Sequence, residues 1–223
     1  NSRTMDWFKN TANWLLEAIF PNSYSVSGLK ISDTFFCVVC KARLPQQKKI
    51  CHKDSHCYLG AATSYREQKV RDWVWRLKYR GETGNARPLA ALLAAYLKNL
   101  NLPLEKYLIV PVPLSSQRFR ERGYNQSELI ADLLKEKLGV EVASDILVRI
   151  RHTTPQAELN EPKKRADNVA GAFTVSELPK NKRAKIILLD DVCTSGSTLQ
   201  EAAKALKKAG FKNVIGLVVA KAG

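Results

Sequence analysis

Acidic residues are in short supply in this chain: 21 Asp and Glu stand against 36 Lys and Arg, a formal charge of +15 at pH 7. The excess is not a basic tail, because it is spread over residues 1–62, 63–107 and 151–223. A chain of this kind is drawn at long range to polyanions, whether nucleic acid or phosphorylated metabolites. Long apolar runs are missing too. None reaches the length of a membrane span, which argues against a spanning helix, and no secretory leader is recognisable. A cytoplasmic location is the resulting expectation. Two nucleotide signatures are also absent, Gly-x-x-x-x-Gly-Lys-Ser/Thr and Gly-x-Gly-x-x-Gly. Their absence argues against a P-loop nucleotidase and a Rossmann dinucleotide site. The remaining composition is ordinary: 223 residues, 45% hydrophobic and 26% charged, enough for the core of one domain with an appendage.

The most informative stretch is Ile186-Ile-Leu-Leu-Asp-Asp-Val-Cys-Thr-Ser-Gly-Ser-Thr-Leu199. Its aliphatic residues predict a buried strand that ends in the paired carboxylates of Asp190 and Asp191. A short hydroxyl-and-glycine loop then opens into a helix. Leu199, Ala202, Ala203 and Leu206 form its apolar stripe, with Lys204, Lys207 and Lys208 off the stripe and Gly210 as terminator. Free N–H groups at a helix start bind phosphate, whereas carboxylates repel it. The two fit one ligand if it carries both a phosphate and neighbouring hydroxyls, or a divalent metal. Ribose 5-phosphate has that distribution. Residues 214–220 read as another buried strand, completing a strand–loop–helix–strand unit with the ligand at the carboxyl ends of the strands. The order acid-acid-x-x-Thr-Ser-Gly-x-Thr closely resembles the phosphoribosyl-pyrophosphate (PRPP) motif of type I phosphoribosyltransferases.

Nearer the amino terminus, Trp7, Trp14, Leu15, Leu16 and Ile19 share one face of an expected helix over residues 6–20, followed by a turn-rich linker. Four of the five cysteines then cluster: Cys37-Val-Val-Cys40 and Cys51-His-Lys-Asp-Ser-His-Cys57. Clustered thiols without a secretion signal suit metal better than disulfides. The expectation is structural zinc held by Cys37, Cys40, Cys51 and Cys57, with His52 and His56 as competing ligands because the second pair is widely spaced. Cys193 reads as a loop filler.

In the middle, Lys78-Tyr-Arg-Gly81 follows a long segment, residues 86–100 predict an Ala- and Leu-rich helix, and residues 107–112 a short strand. Pro111-Val-Pro113 forces an abrupt exit from that strand. The exit leads to Arg118-Phe-Arg-Glu-Arg-Gly-Tyr-Asn-Gln126, read as a cationic loop before a helix over 127–138. Its arginines are either a solvated turn or a polyphosphate clamp, and a PRPP-like site in the same sheet favours the clamp. A further block, Arg151 through Gln156, Arg165 and Asn168 to Phe173, reads either as a loop that folds over a ligand or as plain surface, with His152 a surface residue.

The cysteine knuckle, the Pro-Val-Pro exit with Arg118-x-x-x-Arg122-Gly-Tyr-Asn-Gln126, the 151–173 block and the acid-acid loop occur in one order. Together they resemble the ComF (ComFC) competence family, over nearly everything from Phe35 onward. Ser195 and Ser197 stand where other residues are commoner, but they keep the hydroxyls. The resemblance implies an α/β fold of the type I phosphoribosyltransferase kind: a mostly parallel central sheet with a small hood and an amino-terminal zinc-finger appendage. It divides the chain into residues 1–34, a helix and linker, 35–62, the zinc unit, and 63–223, the phosphoribosyltransferase-like domain. It further implies a role in natural transformation, with single-stranded DNA and other competence or DNA-processing proteins as partners. Under it, Asp190 and Asp191 take the ribose hydroxyls, directly or through Mg2+-bound water. Val192, Cys193, Thr194, Ser195, Gly196, Ser197 and Thr198 form the phosphate cradle. Arg118 and Arg122, with Lys78 as a weaker candidate, meet the pyrophosphate. The chain is then expected to be a transferase of unknown acceptor, or else a non-catalytic fold that binds nucleic acid or senses PRPP.

Overall fold

Four segments are apolar along nearly their whole length, which is the signature of strands covered on both faces. They form the middle of one sheet. The computed structural model describes residues 25–26, 28–44, 52, 55–151, 169–176 and 185–222. The expected helix over 6–20, Cys51, His152 and residues 153–168 lie outside those residues. A small hairpin of β1 (Ser25–Val26) and β2 (Leu29–Lys30) precedes β3 (Phe35–Cys37), β4 (Arg43–Leu44) and β5 (Tyr58–Ser64). Then come α1 (Gln68–Tyr79), α2 (Ala86–Asn99), β6 (Tyr107–Pro111), α3 (Ser116–Arg122), α4 (Gln126–Leu138) and β7 (Glu141–Val142). The remainder is β8 (Leu147–Arg149), β9 (Phe173–Val175), β10 (Lys185–Cys193), α5 (Ser197–Lys208) and β11 (Val214–Lys221).

Seven strands make the main sheet in the order β4-β3-β5-β11-β10-β6-β7. The run from β5 to β7 is parallel, and β3 and β4 join it antiparallel. The fold is therefore α/β with a mostly parallel sheet. One core lies under α1, α2 and α4, around Val74, Leu77, Leu93, Ile130, Ile187 and Leu189. The other lies under α5 and the antiparallel β8–β9 pair, around Leu147, Phe173, Ile186, Leu188, Leu199 and Leu206. Each such fully buried aliphatic side chain contributes about 1.5–3 kcal/mol relative to exposure.

The knuckle strands, residues 35–37 and 43–44, extend the same sheet through β5. Close packing fixes that junction. A Cβ on Gly60 of β5 would come within 3.1 Å of the Tyr96 ring, and Tyr96 Oη donates to the Thr34 carbonyl at 2.7 Å.

Candidate functional site

β10 is central, and its last pairing with β6 joins Leu189 to Pro111. Pro111 and Pro113 take β6 out of the sheet there, with Val112 N donating to Leu189 O at 2.8 Å. Beyond Leu189, at Asp190 and Asp191, β10 has no further pairing with β6.

The two acids are held differently. Asp191 is buried, and Lys78 of α1 lies against it: Nζ is 2.9 Å from Oδ1 as donor and 2.7 Å from Oδ2. Oδ2 is buried and receives no hydrogen bond in good geometry, so that second approach is an ion pair only. Burial opposes the Lys78 charge, but Asp191, with Asp190 behind it, overcomes that and holds the lysine above its ordinary pKa. Asp190 is only partly covered and accepts from Ser127 Oγ at 3.3 Å and from the Asp191 amide at 2.9 Å. Its carboxyl is pushed up to about 6 by desolvation and by the neighbouring Asp191 charge. Asp190 is thus a carboxylate short of positive partners, and Asp191 already has one.

The loop after the acids is short. Cys193 closes β10, buried, and burial holds its thiol above the ordinary range although Lys41 opposes this. The loop-filler reading gives way: Cys193 is a strand residue in the core. Gly196 then takes φ +86° as the N-cap of α5, and the first intrahelical bond is Gln200 N to Gly196 O at 2.9 Å. Amides of the first turn precede that bond, which leaves a donor-rich end suited to an anion. Ser195 and Ser197 present hydroxyls 3.0 Å apart beside it.

The cationic segment is not a loop. Residues 116–122 form α3, capped by Ser115 Oγ, which accepts from Arg118 N, and closed by Gly123 at φ +79°. Asn125 caps the next helix: its Oδ1 accepts from Ser127 N at 3.0 Å, and its Nδ2 donates to Val112 O at 3.1 Å. Tyr124 Oη donates to the Leu77 carbonyl, tying this junction to α1. Arg122 donates to Gln126 Oε1 at 2.8 Å and lies over the Tyr79 ring at 5.6 Å. Every residue of Arg122-Gly-Tyr-Asn-Gln126 therefore has a structural task, and the same junction delivers Ser127 to Asp190. The charge of Arg122 reaches Lys78, and that of Arg118 reaches Arg149 of β8, which also feels Asp190. Ser127 and Arg149 were not singled out from the sequence. Ser127 had a signal, a small polar residue directly after the Asn-Gln cap; Arg149 had none.

At the knuckle, Cys37, Cys40 and His52 have ligand atoms all within 4.8 Å of one another, with Cys37 Sγ and His52 Nδ1 3.4 Å apart. Thiolate and imidazole ligands on tetrahedral zinc lie about 3.5 Å apart, given metal bonds of about 2.3 and 2.0 Å. The group can hold a metal ion such as zinc. Cys57, expected as a ligand, is outside it. Its sulfur lies in the core, 3.5 Å from where a Cβ on Gly216 would be, and burial beside Cys193 pushes its thiol up to about 12. The wide spacing of the second cysteine pair is the physical reason: β5 starts at Tyr58 and draws Cys57 into the sheet.

The knuckle also packs on the loop after the acids. A Cβ at Gly196 would lie 2.7 Å from both Val38 O and Val38 Cγ2. Lys41, itself at φ +63°, donates to Val38 O at 2.6 Å and to Cys193 Sγ at 3.2 Å. Gln200 of α5 accepts from His56 N at 2.7 Å and donates to Ser55 Oγ at 3.2 Å.

Residues 124–223 match the family described as "Phosphoribosyl transferase domain". That segment includes Asn125, both acids and the loop, and leaves Lys78, Arg118 and Arg122 outside. The chain is 34% identical over 146 residues to "Competence protein F" of Haemophilus influenzae, covering 63% of each. It is 38% identical over 143 residues to "DNA utilization protein YhgH" of Escherichia coli K12, covering 61% of this chain and 60% of the relative. "Competence protein ComFC" of Streptococcus pneumoniae is 29% identical over 163 residues, covering 71% and 68%. The chain thus spans under two thirds of the length of the first two relatives. Among the described residues no helix is long and apolar enough to cross a membrane.

Proposed function

We propose, from the premise that this chain belongs to the ComF/ComFC family, that its part from residue 63 onward binds PRPP and serves the handling of incoming single-stranded DNA in the cytoplasm. The supporting observation is the end of β10, where a partly open carboxylate with a raised pKa stands next to a helix start rich in N–H donors.

In this reading Asp190 and Asp191 accept hydrogen bonds from the ribose hydroxyls, and the turn from Thr194 to Thr198 holds the 5-phosphate through backbone amides and hydroxyls. Val192 and Cys193 shape the floor. Arg118 and Arg122 meet the pyrophosphate, while Lys78 acts by holding Asp191. An all-oxygen donor set suits a hard cation such as Mg2+, with Asp190 as the open carboxylate; Asp191 Oδ2 accepts no hydrogen bond but is buried 2.7 Å from Lys78 Nζ. When bound, that ion would supply positive charge to the diol and pyrophosphate oxygens. The bond from the anomeric carbon to pyrophosphate breaks with its electron pair leaving on pyrophosphate, and an acceptor nucleophile closes the new bond. The carboxylates favour the oxocarbenium-like charge, and the arginines favour the departing anion. The knuckle takes zinc as a structural ion through Cys37, Cys40 and His52, with Cys51, next to His52 in sequence, the candidate for the fourth position.

Calorimetry with PRPP and magnesium tests the site. Asp190→Asn and Asp191→Asn are expected to abolish binding; unchanged affinity in both defeats the assignment. A second reading is a binding or PRPP-sensing protein without turnover. The Lys78–Asp191 pair favours it, because that pair leaves one open acid instead of two. Labelled PRPP incubated with nucleobases, amines and DNA separates the readings: pyrophosphate release marks a transferase, and binding without release marks a sensor.

A further inference from the structure

The large aromatic side chains exposed among the described residues are Trp75, Tyr79 and Phe119, at 47%, 64% and 48%. Trp75 and Tyr79 neighbour each other, and Phe119 lies on α3, the helix whose Arg122 reaches Tyr79. Trp75 and Tyr79 are one turn apart on α1 with ring centroids 6.2 Å apart, on the side of the helix away from buried Val70, Val74 and Leu77. Arg122 of α3 lies over the Tyr79 ring at 5.6 Å, and Phe119 is three residues before it on the same short helix. Arg80 lies over Trp75 at 5.1 Å, and Arg120 is exposed beside Phe119. The fold does not require these rings outside, since both cores are complete without them. Exposed aromatics interleaved with arginines suit a chain of unstacked bases joined by phosphates: rings stack on bases of any sequence, and guanidinium groups follow the backbone.

We propose that this face of α1 and α3 is a stacking platform for single-stranded DNA, running up to the rim of the acid pair at Tyr79 and Lys78. It rests on the DNA-handling reading above and adds the surface that performs it. A duplex is excluded because its bases already stack on each other, and DNA is favoured over RNA by the DNA utilization relatives.

Fluorescence anisotropy of labelled oligodeoxythymidine on the full chain tests this. Trp75→Ala with Phe119→Ala is expected to weaken binding about 100-fold, near tenfold per lost stacking ring, with PRPP affinity unchanged. Arg80→Ala with Arg120→Ala is expected to lower the slope of log affinity against log salt by about 1.4, two contacts at ~0.7 each. Duplex DNA of the same sequence is expected to bind at least tenfold more weakly than the single strand. Wild-type affinity in both double variants, or duplex binding as tight as single strand, overturns the platform while leaving DNA handling intact. Tighter binding of oligouridine overturns the assignment to DNA. A wild-type chain that binds no oligonucleotide defeats the underlying reading itself.

Discussion

Replacing Lys78 by Met removes the cation in hydrogen-bonding contact with the nearly buried Asp191 carboxylate. The ammonium and Asp191 Oδ2 are 2.7 Å apart, with side-chain exposures of 20% and 4%. At an effective dielectric of 20 the attraction is about 6 kcal/mol before desolvation. Breaking such a pair by removing one partner costs about 3–5 kcal/mol, and the partial exposure of the lysine puts this case near the lower end, about 3 kcal/mol. For a chain of this size that corresponds to a fall in Tm of about 6–12 °C. The pH dependence carries the diagnosis. In the wild type the lysine contribution is full below its unfolded pKa of about 10.4 and is lost as pH rises through the higher folded value. Chemical denaturation from pH 8 to 12 measures this, the Lys78→Met deficit shrinking at the alkaline end, and Lys78→Met combined with Asp191→Asn should recover most of the loss. A Lys78→Met deficit under about 0.5 kcal/mol, flat across pH, would refute the reasoning and show that water screens the pair.

Asp190 gives an opposed pair of effects. Its folded pKa of about 6 exceeds the unfolded value, so the unliganded protein loses stability as pH rises from about 4 through 6. Asp190→Asn should raise the Tm at pH 7.5 and flatten that pH profile while removing PRPP affinity; wild-type PRPP affinity should fall below pH 6. Gly196→Ala demands φ +86° of an alanine and drives its Cβ to 2.7 Å from the Val38 carbonyl. A loss of about 3 kcal/mol is expected by denaturant titration, with weaker phosphate binding. Chelating a metal at Cys37, Cys40 and His52 should speed hydrogen exchange not only at residues 38–41 but also at 193–197, because Lys41 and Val38 pack on that turn. Protection unchanged at 193–197 would show the two to be independent.

The local elements were legible because their physics is local. The helix expected over 86–100 is Ala86–Asn99, the strand over 107–112 is Tyr107–Pro111, and the strand over 214–220 is Val214–Lys221. Apolar periodicity and prolines write such elements into short windows of sequence. The acid pair on β10 and the helix start after it were legible for the same reason. The arginine segment was not. A run of cations suggests a solvated loop, and only the Ser115 cap, Gly123 and the Asn125 cap make it a helix and a junction.

What the sequence determined by itself was the order of the strands along the chain, the chemistry gathered at one strand end, and a cysteine knuckle able to hold metal. Tertiary structure alone decided how that chemistry is divided. It paired Lys78 with Asp191 across 113 residues, left Asp190 partly open under Ser127, drew Cys57 into the core, and set the knuckle on Gly196. Those outcomes depend on which distant groups share a low-dielectric space, and no spacing along a chain encodes that directly.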